Sequence, residues 1–392
     1  MNHPRRPGPR LSATVQGGKV RNTARRPLAA AGLIATSGLL LVGCTPLAGS
    51  TDASDVPLDL APPVAGEIAP GALDGINLVY AGNGGVIQEG QTSAIWDPFA
   101  EESGATVQQD SYELTKLKAM VDSDNVSWNM VNSSILENER YCGELFEKID
   151  PAKVDLSNAP EGTVAGECTV PNIFMGYVVA YNTDVYGDNG PKSATDFFDT
   201  AKFPGKRGVP LTPWMEAPAI EFAMLADGAD FDNLTVDDFH GATDLYDSLG
   251  ENLVPWTSGA QSQQQLESGE VDMSLVWSGR GFGAANAGAP IAGMWEEWVV
   301  NIDGIAIPKG TPNLDASYAA VNYLLGADQQ AAASEATSYA PVNVNAVPDV
   351  PELTSEWLVS NHLESGHNLK IDYWVDNWDE LADAWTTWVA GG

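Results

Sequence analysis

The chain is 392 residues long and strongly acidic: 53 Asp and Glu face 19 Lys and Arg, a formal net charge of −34 at neutral pH. Seven of those bases lie within the first 26 positions, which hold no acid, so the remainder sets 12 bases against all 53 acids. Such a surface leaves no basic footprint for phosphates and excludes nucleic acid as a partner, while its field draws cations toward a cleft. A solubilising or salt-adapted surface accounts for most of the carboxylates.

Residues 1–43 read as a signal peptide: Arg5, Arg6, Arg10, Lys19, Arg21, Arg25 and Arg26 precede an apolar run that ends in Leu41-Val42-Gly43-Cys44. The run has the length of a secretory core and is short for a stable membrane span. LVGC resembles the bacterial lipobox, which implies cleavage before Cys44 and a lipid on its thiol. Arg25-Arg26 only loosely resembles a twin-arginine signal, so the export route stays open. The chain is therefore expected to be exported and held by lipid on the outer face of the cell membrane, or periplasmic. Residues 44–71, rich in Pro, Ala, Gly, Ser and Asp without periodicity, read as a disordered tether. Cys142 and Cys168 remain. In an exported domain they suggest one disulfide, worth about 3 kcal/mol by loop entropy. A catalytic cysteine is the alternative, but neither has a histidine nearby in sequence.

About 320 residues follow Gly71, more than one usual core, which argues for two lobes. In chain order, INLVYAG (76–82) reads as a strand before Gly84-Gly85. A helix carrying Ile95 and Phe99 stops near Gly104, and ATVQQD is a strand. LTKLKAMVDS is a helix with Leu114, Leu117, Met120 and Val121 on one face. WNMVNSS (128–134) and IFMGYVVAYN (173–182) are strands. Helix SATDFFDTAKF, strand KRGVPLT and helix APAIEFAMLADG follow, the last with Pro218 in its first turn and Gly228 as its stop. A helical stretch through VDDFHGATDLYDSLGENL leads to GAQSQQQLESG and strand VDMSLVW (271–277). NIDGIAIPKG (301–310) is a strand, and the tail from Leu314 is mostly helical. Alternating strands and helices make an α/β fold with a mostly parallel sheet covered on both faces.

Six blocks, GGVIQEGQTSAIWDPFAEESGATV, LTKLKAMVDSDNVSWNMV, FPGKRG, SGEVDMSLVWSGR, DGIAIPKG and SYAPVN, resemble in that order the extracellular solute-binding proteins of ABC importers, polyamine-type branch. The likeness runs from about Gly71 to the C-terminus. It implies a two-lobe periplasmic-binding-protein-like fold with a hinge and an interlobe ligand cleft. Lobe 1 would comprise residues 72–182 plus 299–392, and lobe 2 residues 183–298, crossing near Asn182 and returning near Val299. It also implies a membrane permease as partner, a monomer, and no cofactor, metal or catalysis. The Cys142–Cys168 pair resembles one found in part of that branch.

In open α/β sheets ligands sit beyond strand C-termini. The first lobe offers Asn83 and Gln88 after its first strand, and Asn132, Ser133 and Ser134 after WNMV. A tight turn at Asn83 and a helix cap at Ser133-Ser134 are the structural alternatives. The second lobe offers LTPWMEAP (211–218), where two prolines fix Trp214 and Glu216 two residues apart. An indole face and a neighbouring carboxylate together suit an ammonium. Glu216 also stands where a helix macrodipole favours an acid, and Trp214 could be core. Trp256, Gln261, Trp277 and Ser278 fall at further strand ends and loops, Trp295 and Trp298 flank the return crossover, and Asp303 supplies another acid; the resemblance of SYAPVN to a block that borders the crevice in that family implies Tyr339 as a further wall. Arg280 could pair with Glu296 or Glu297, or hold a ligand carboxylate bidentately. A carboxylate binder would want a second base in the opening loop, which offers an acid. Cationic amines therefore rank first and amino-acid-like zwitterions second. A ferric-ion binder lacks its Tyr-Tyr, and an exported hydrolase lacks a nucleophile elbow or metal triad. The tryptophans at 374, 378, 385 and 388 share one helix face and read as packing.

Overall fold

The computed structural model describes residues 58, 60–160 and 166–391; the expected leader, Cys44 and the start of the tether lie outside them. Among the described residues one sheet carries nine strands: β1 (Asn77–Gly82), β2 (Thr106–Ser111), β3 (Met130–Ser134), β4 (Val170–Asn182), β5 (Arg207–Pro210), β6 (Leu253–Trp256), β7 (Met273–Trp277), β8 (Ile291–Ala306) and β9 (Gly366–Asn368). Their order is β2-β1-β3-β8-β4-β7-β5-β6, with β9 alongside β8. β1, β2 and β3 are parallel neighbours, as are β5, β6 and β7. The antiparallel pair β4–β8 stands between the two triplets. Helices supply the parallel crossovers within each triplet, and the central strand β4 is buried along nearly its whole length.

β4 and β8 together join the two triplets. β8 meets β3 through Ser133↔Gly304 and Ser134↔Asp303. β4 meets β7 from Tyr177↔Trp277 to Tyr181↔Met273, so it has joined the second triplet five residues before Asn182. Between them the ladder breaks: Tyr177 faces Val299 but Val179 faces Met294, leaving the segment 295–298 as a wide bulge. Trp298, the last residue of that segment, is fully buried. A Cβ on Gly176 would lie 2.6 Å from its ring, so only glycine fits there.

The helix Ala217–Asp227 buries every residue from Ala217 to Met224, as an almost wholly apolar sequence must. Pro218 sits in its first turn, and Gly228 ends it in the left-handed region at φ 77°. Its one buried acid, Glu221, accepts from Trp374 Nε1 (2.5 Å) and the Lys370 backbone (2.8 Å), and its other oxygen lies 2.8 Å from His367 Nε2. Trp385 donates to the Thr212 carbonyl at 3.1 Å, while Arg140 reaches Asp379 at 2.6 Å. The tail from Gly366 thus touches both halves of the sheet.

Three further expectations change. β8 begins at Ile291, ten residues ahead of Asn301, and residues 253–256 form a strand where none was expected. The described end of the tether is seated: Ala65 donates to Asp155 Oδ2, Gly66 donates to the Asn322 carbonyl, and Asn322 Nδ2 donates to the Val64 carbonyl. Gly66 crosses Gly326 so closely that a Cβ would stand 2.6 Å from the Gly326 Cα. Cys142 and Cys168 form a disulfide with Cα atoms 5.4 Å apart.

Candidate functional site

The C-terminal ends of β5 and β7 and the central part of β4 meet on one carboxylate. Glu216 stands at the N-cap of helix Ala217–Asp227 but does not cap it. Its Oε1 accepts from Trp214 Nε1 at 2.8 Å and Thr212 Oγ1 at 3.2 Å. Its Oε2 accepts from the Tyr177 hydroxyl, which in turn accepts from Trp277 Nε1. Pro213 and Pro218 hold the loop stiff enough for this convergence. Glu216 is 5% exposed. Burial pushes its carboxyl up to about 7, against the pull of the hydrogen bonds from Tyr177, Thr212 and Trp214. Trp214, anchored at its nitrogen, leaves 51% of its surface in solvent. Trp277 meets Trp256 edge to face at 5.7 Å.

A second cluster joins Arg280, Tyr339 and Asp303. Arg280 opens the helix Ser278–Asn286 behind β7. Its Nε is buried and has no hydrogen-bond partner, and among the described residues it makes no ion pair. Glu297 accepts instead from the Ala194 backbone, and Glu296 is exposed. Glycines bring the guanidinium in close. A Cβ on Gly259 would sit 2.6 Å from Arg280 Nε and 2.7 Å from the Trp277 ring; one on Gly279 would sit 2.7 Å from the Tyr339 hydroxyl. That hydroxyl is raised by burial, drawn down by Arg280 and pushed up by Asp303, so it feels both charges. Asp303, on β8 opposite Ser134, is pushed by burial up to about 6; a hydrogen bond from Asn132 opposes this and the charge of Glu137 adds to it. The fixed opposite charges of the two halves therefore flank one tyrosine.

The remaining sequence candidates serve the frame. Gln88 accepts from Gly84 N at 2.8 Å and donates to Gln109 and to the Asp110 carbonyl, tying down the loop in which Asn83 is exposed. Ser133 donates to Asn138 at 2.5 Å; Ser134 lies at the N-cap of helix Ile135–Arg140 without a side-chain cap bond. Gln261 accepts from the Thr257 backbone at 2.9 Å and Ser278 from Gly176 N at 3.3 Å. Trp256 is fully buried with its indole on the Leu275 carbonyl, so it backs Trp277 and offers no face of its own. Sequence reasoning missed Tyr177 and Glu137. A tyrosine inside the apolar run IFMGYVVAYN must find a partner for its hydroxyl, and that was the available signal. Glu137, held by Tyr112 at 2.6 Å, is raised by burial and gave no signal against so acidic a background.

Residues 94–364 match the family of bacterial extracellular solute-binding proteins, and the chain belongs to that family. The γ-aminobutyric-acid-binding protein of Pseudomonas aeruginosa is 32% identical over 318 residues, 78% of this chain and 89% of the relative. The spermidine/putrescine-binding periplasmic protein of Escherichia coli is 25% identical over 266 residues, 64% of this chain and 74% of the relative. The solved structure of the Atu4243 GABA receptor is 33% identical, covers 80% of this chain and 97% of its own, and superimposes with a TM-score of 0.71. The family and two-lobe fold expected from the six blocks are borne out.

Proposed function

We propose that the protein is the cargo receptor of an ABC importer and that its cargo is an ω-amino acid, a small chain with an ammonium at one end and a carboxylate at the other. The observation that carries this is the Arg280 guanidinium, with a buried Nε lacking any partner. A buried N–H left without a hydrogen bond costs about 1–3 kcal/mol, a cost that a bound carboxylate removes. Asp303 supplies the opposite pole, and the rings of Trp214, Trp277 and Tyr339 suit the methylenes between. The likeness to γ-aminobutyric-acid-binding relatives supports the same order. It reverses the ranking drawn from sequence, where Glu216 counted as a free acid and Arg280 as a doubtful base.

In this reading the triplet β1–β3 and the triplet β5–β7 are the cores of two lobes, with β4 and β8 as the hinge strands. Cargo that touches Arg280 from one lobe and Asp303 from the other draws them together and is presented to a permease. The lipid on Cys44 would keep the receptor at the outer face of the membrane. Isothermal titration with 4-aminobutyrate and with putrescine tests the assignment. Binding of 4-aminobutyrate that is lost in Arg280→Met supports it. Binding of putrescine alone, undisturbed in that variant, makes the site a diamine site and overturns it.

A further inference from the structure

Glu216 has both oxygens engaged inside the protein. Trp214 Nε1 and Thr212 Oγ1 donate to one, and the Tyr177 hydroxyl donates to the other. Tyr177 passes the constraint on by accepting from Trp277 Nε1. One carboxylate thus fixes the rotation of two indoles from different strand ends, one directly and one through a relay. Trp214 is the larger gain. A ring 51% exposed on a loop would sample several rotamers unless its nitrogen were tied.

We infer that Glu216 is a positioning residue, which sets the faces of Trp214 and Trp277 against which the cargo chain lies, and is not the partner of the cargo's charge. The inference rests on the proposed cargo site. It makes the aromatic wall preformed, and it leaves the ionic selection to Arg280 and Asp303. Tyr177 is the titratable group touching Glu216; Tyr246, whose hydroxyl is occupied by the Ala219 carbonyl, stands behind Tyr177. No charged side chain contacts Glu216 among the described residues, so its titration reports on this network.

Two variants dissect the hub. Glu216→Gln keeps one acceptor for Trp214 but presents an amide N–H₂ to a hydroxyl that had been donating, which disrupts the relay. Tyr177→Phe removes the relay and leaves the bond from Trp214 to Glu216. In the unliganded full-length protein, the indole N–H resonances of Trp214 and Trp277, assigned by replacing each ring with Phe, should titrate together with a midpoint near 7. Glu216→Gln should abolish both titrations, and Tyr177→Phe only that of Trp277. Affinity gives a second readout. With 4-aminobutyrate and 4-hydroxybutyrate as probes, Glu216→Gln should weaken both by a similar factor, on the order of ten-fold, leaving their ratio unchanged. A ratio that collapses, with only the ammonium-bearing probe affected, overturns the inference, as do indole resonances indifferent to Glu216. If the wild type binds neither probe, the cargo assignment falls, while the indole titration still decides whether Glu216 holds the two rings.

Discussion

The aromatic wall and the ionic pair lie side by side yet are built on opposite principles. Around Glu216 every strong donor has found an acceptor within the chain: Trp214, Thr212, Tyr177 and Trp277 close on one another. Around Tyr339 they have not, and Arg280 keeps a buried N–H without a partner while Asp303 is held by a single amide. A region that satisfies itself is scaffold. A region left with a deficit is where binding energy is available to the proposed cargo.

The largest effect separating the two should come from behind the wall. Trp385→Ala removes a fully buried indole and its bond to the Thr212 carbonyl, and should cost about 3–5 kcal/mol in urea unfolding. Unfolding with the disulfide open, in Cys142→Ser/Cys168→Ser, should cost about 3 kcal/mol with cargo affinity retained when measured below the new melting point.

Arg280→Met should move the opposite quantities. Stability should hold or rise slightly, since a buried N–H without a partner has gone. Affinity for 4-aminobutyrate should fall on the order of 100-fold by calorimetry.

The two raised acids make a pH prediction. Glu216 and Asp303 have native pKa values of about 7 and about 6, above their ordinary 4.5 and 3.8. The folded state therefore holds their protons more tightly than the unfolded state does. Their contribution to stability is full below about pH 4 and is lost as pH rises through 6 and 7. Between pH 4 and pH 8 Glu216 accounts for roughly 3 kcal/mol and Asp303 for roughly 2.5 kcal/mol. Asp303→Asn and Glu216→Gln should each flatten their own part of that profile in urea titrations. The smallest effect is expected at Gln261, whose amide serves its own helix start: Gln261→Ala should change affinity less than two-fold.

The strands β1, β3, β5 and β7 were legible because each is a short apolar run closed by a turn, and the logic of strand ends singled out Trp214 and Trp277, which line the proposed site. What escaped has physical reasons. The first half of β8 carries Glu296-Glu297 within its bulge, and that polar break hides a strand. The strand Leu253–Trp256 is four residues long and contains Pro255, a poor signal in any window. The residues Val64–Gly66 look like tether by composition, yet Gly66 is needed where two backbones cross. Glu216 was assigned an acid's role from its place in sequence, since only coordinates reveal that Tyr177, 39 residues earlier, occupies its second oxygen.

A crystal structure of the protein with 4-aminobutyrate tests the central claim most directly. The account predicts the carboxylate within hydrogen-bonding distance of Arg280 Nε, the ammonium on Asp303, and the bonds of Glu216 to Trp214 and Tyr177 unchanged. An ammonium seated on Glu216, with Arg280 still unpartnered, would contradict it.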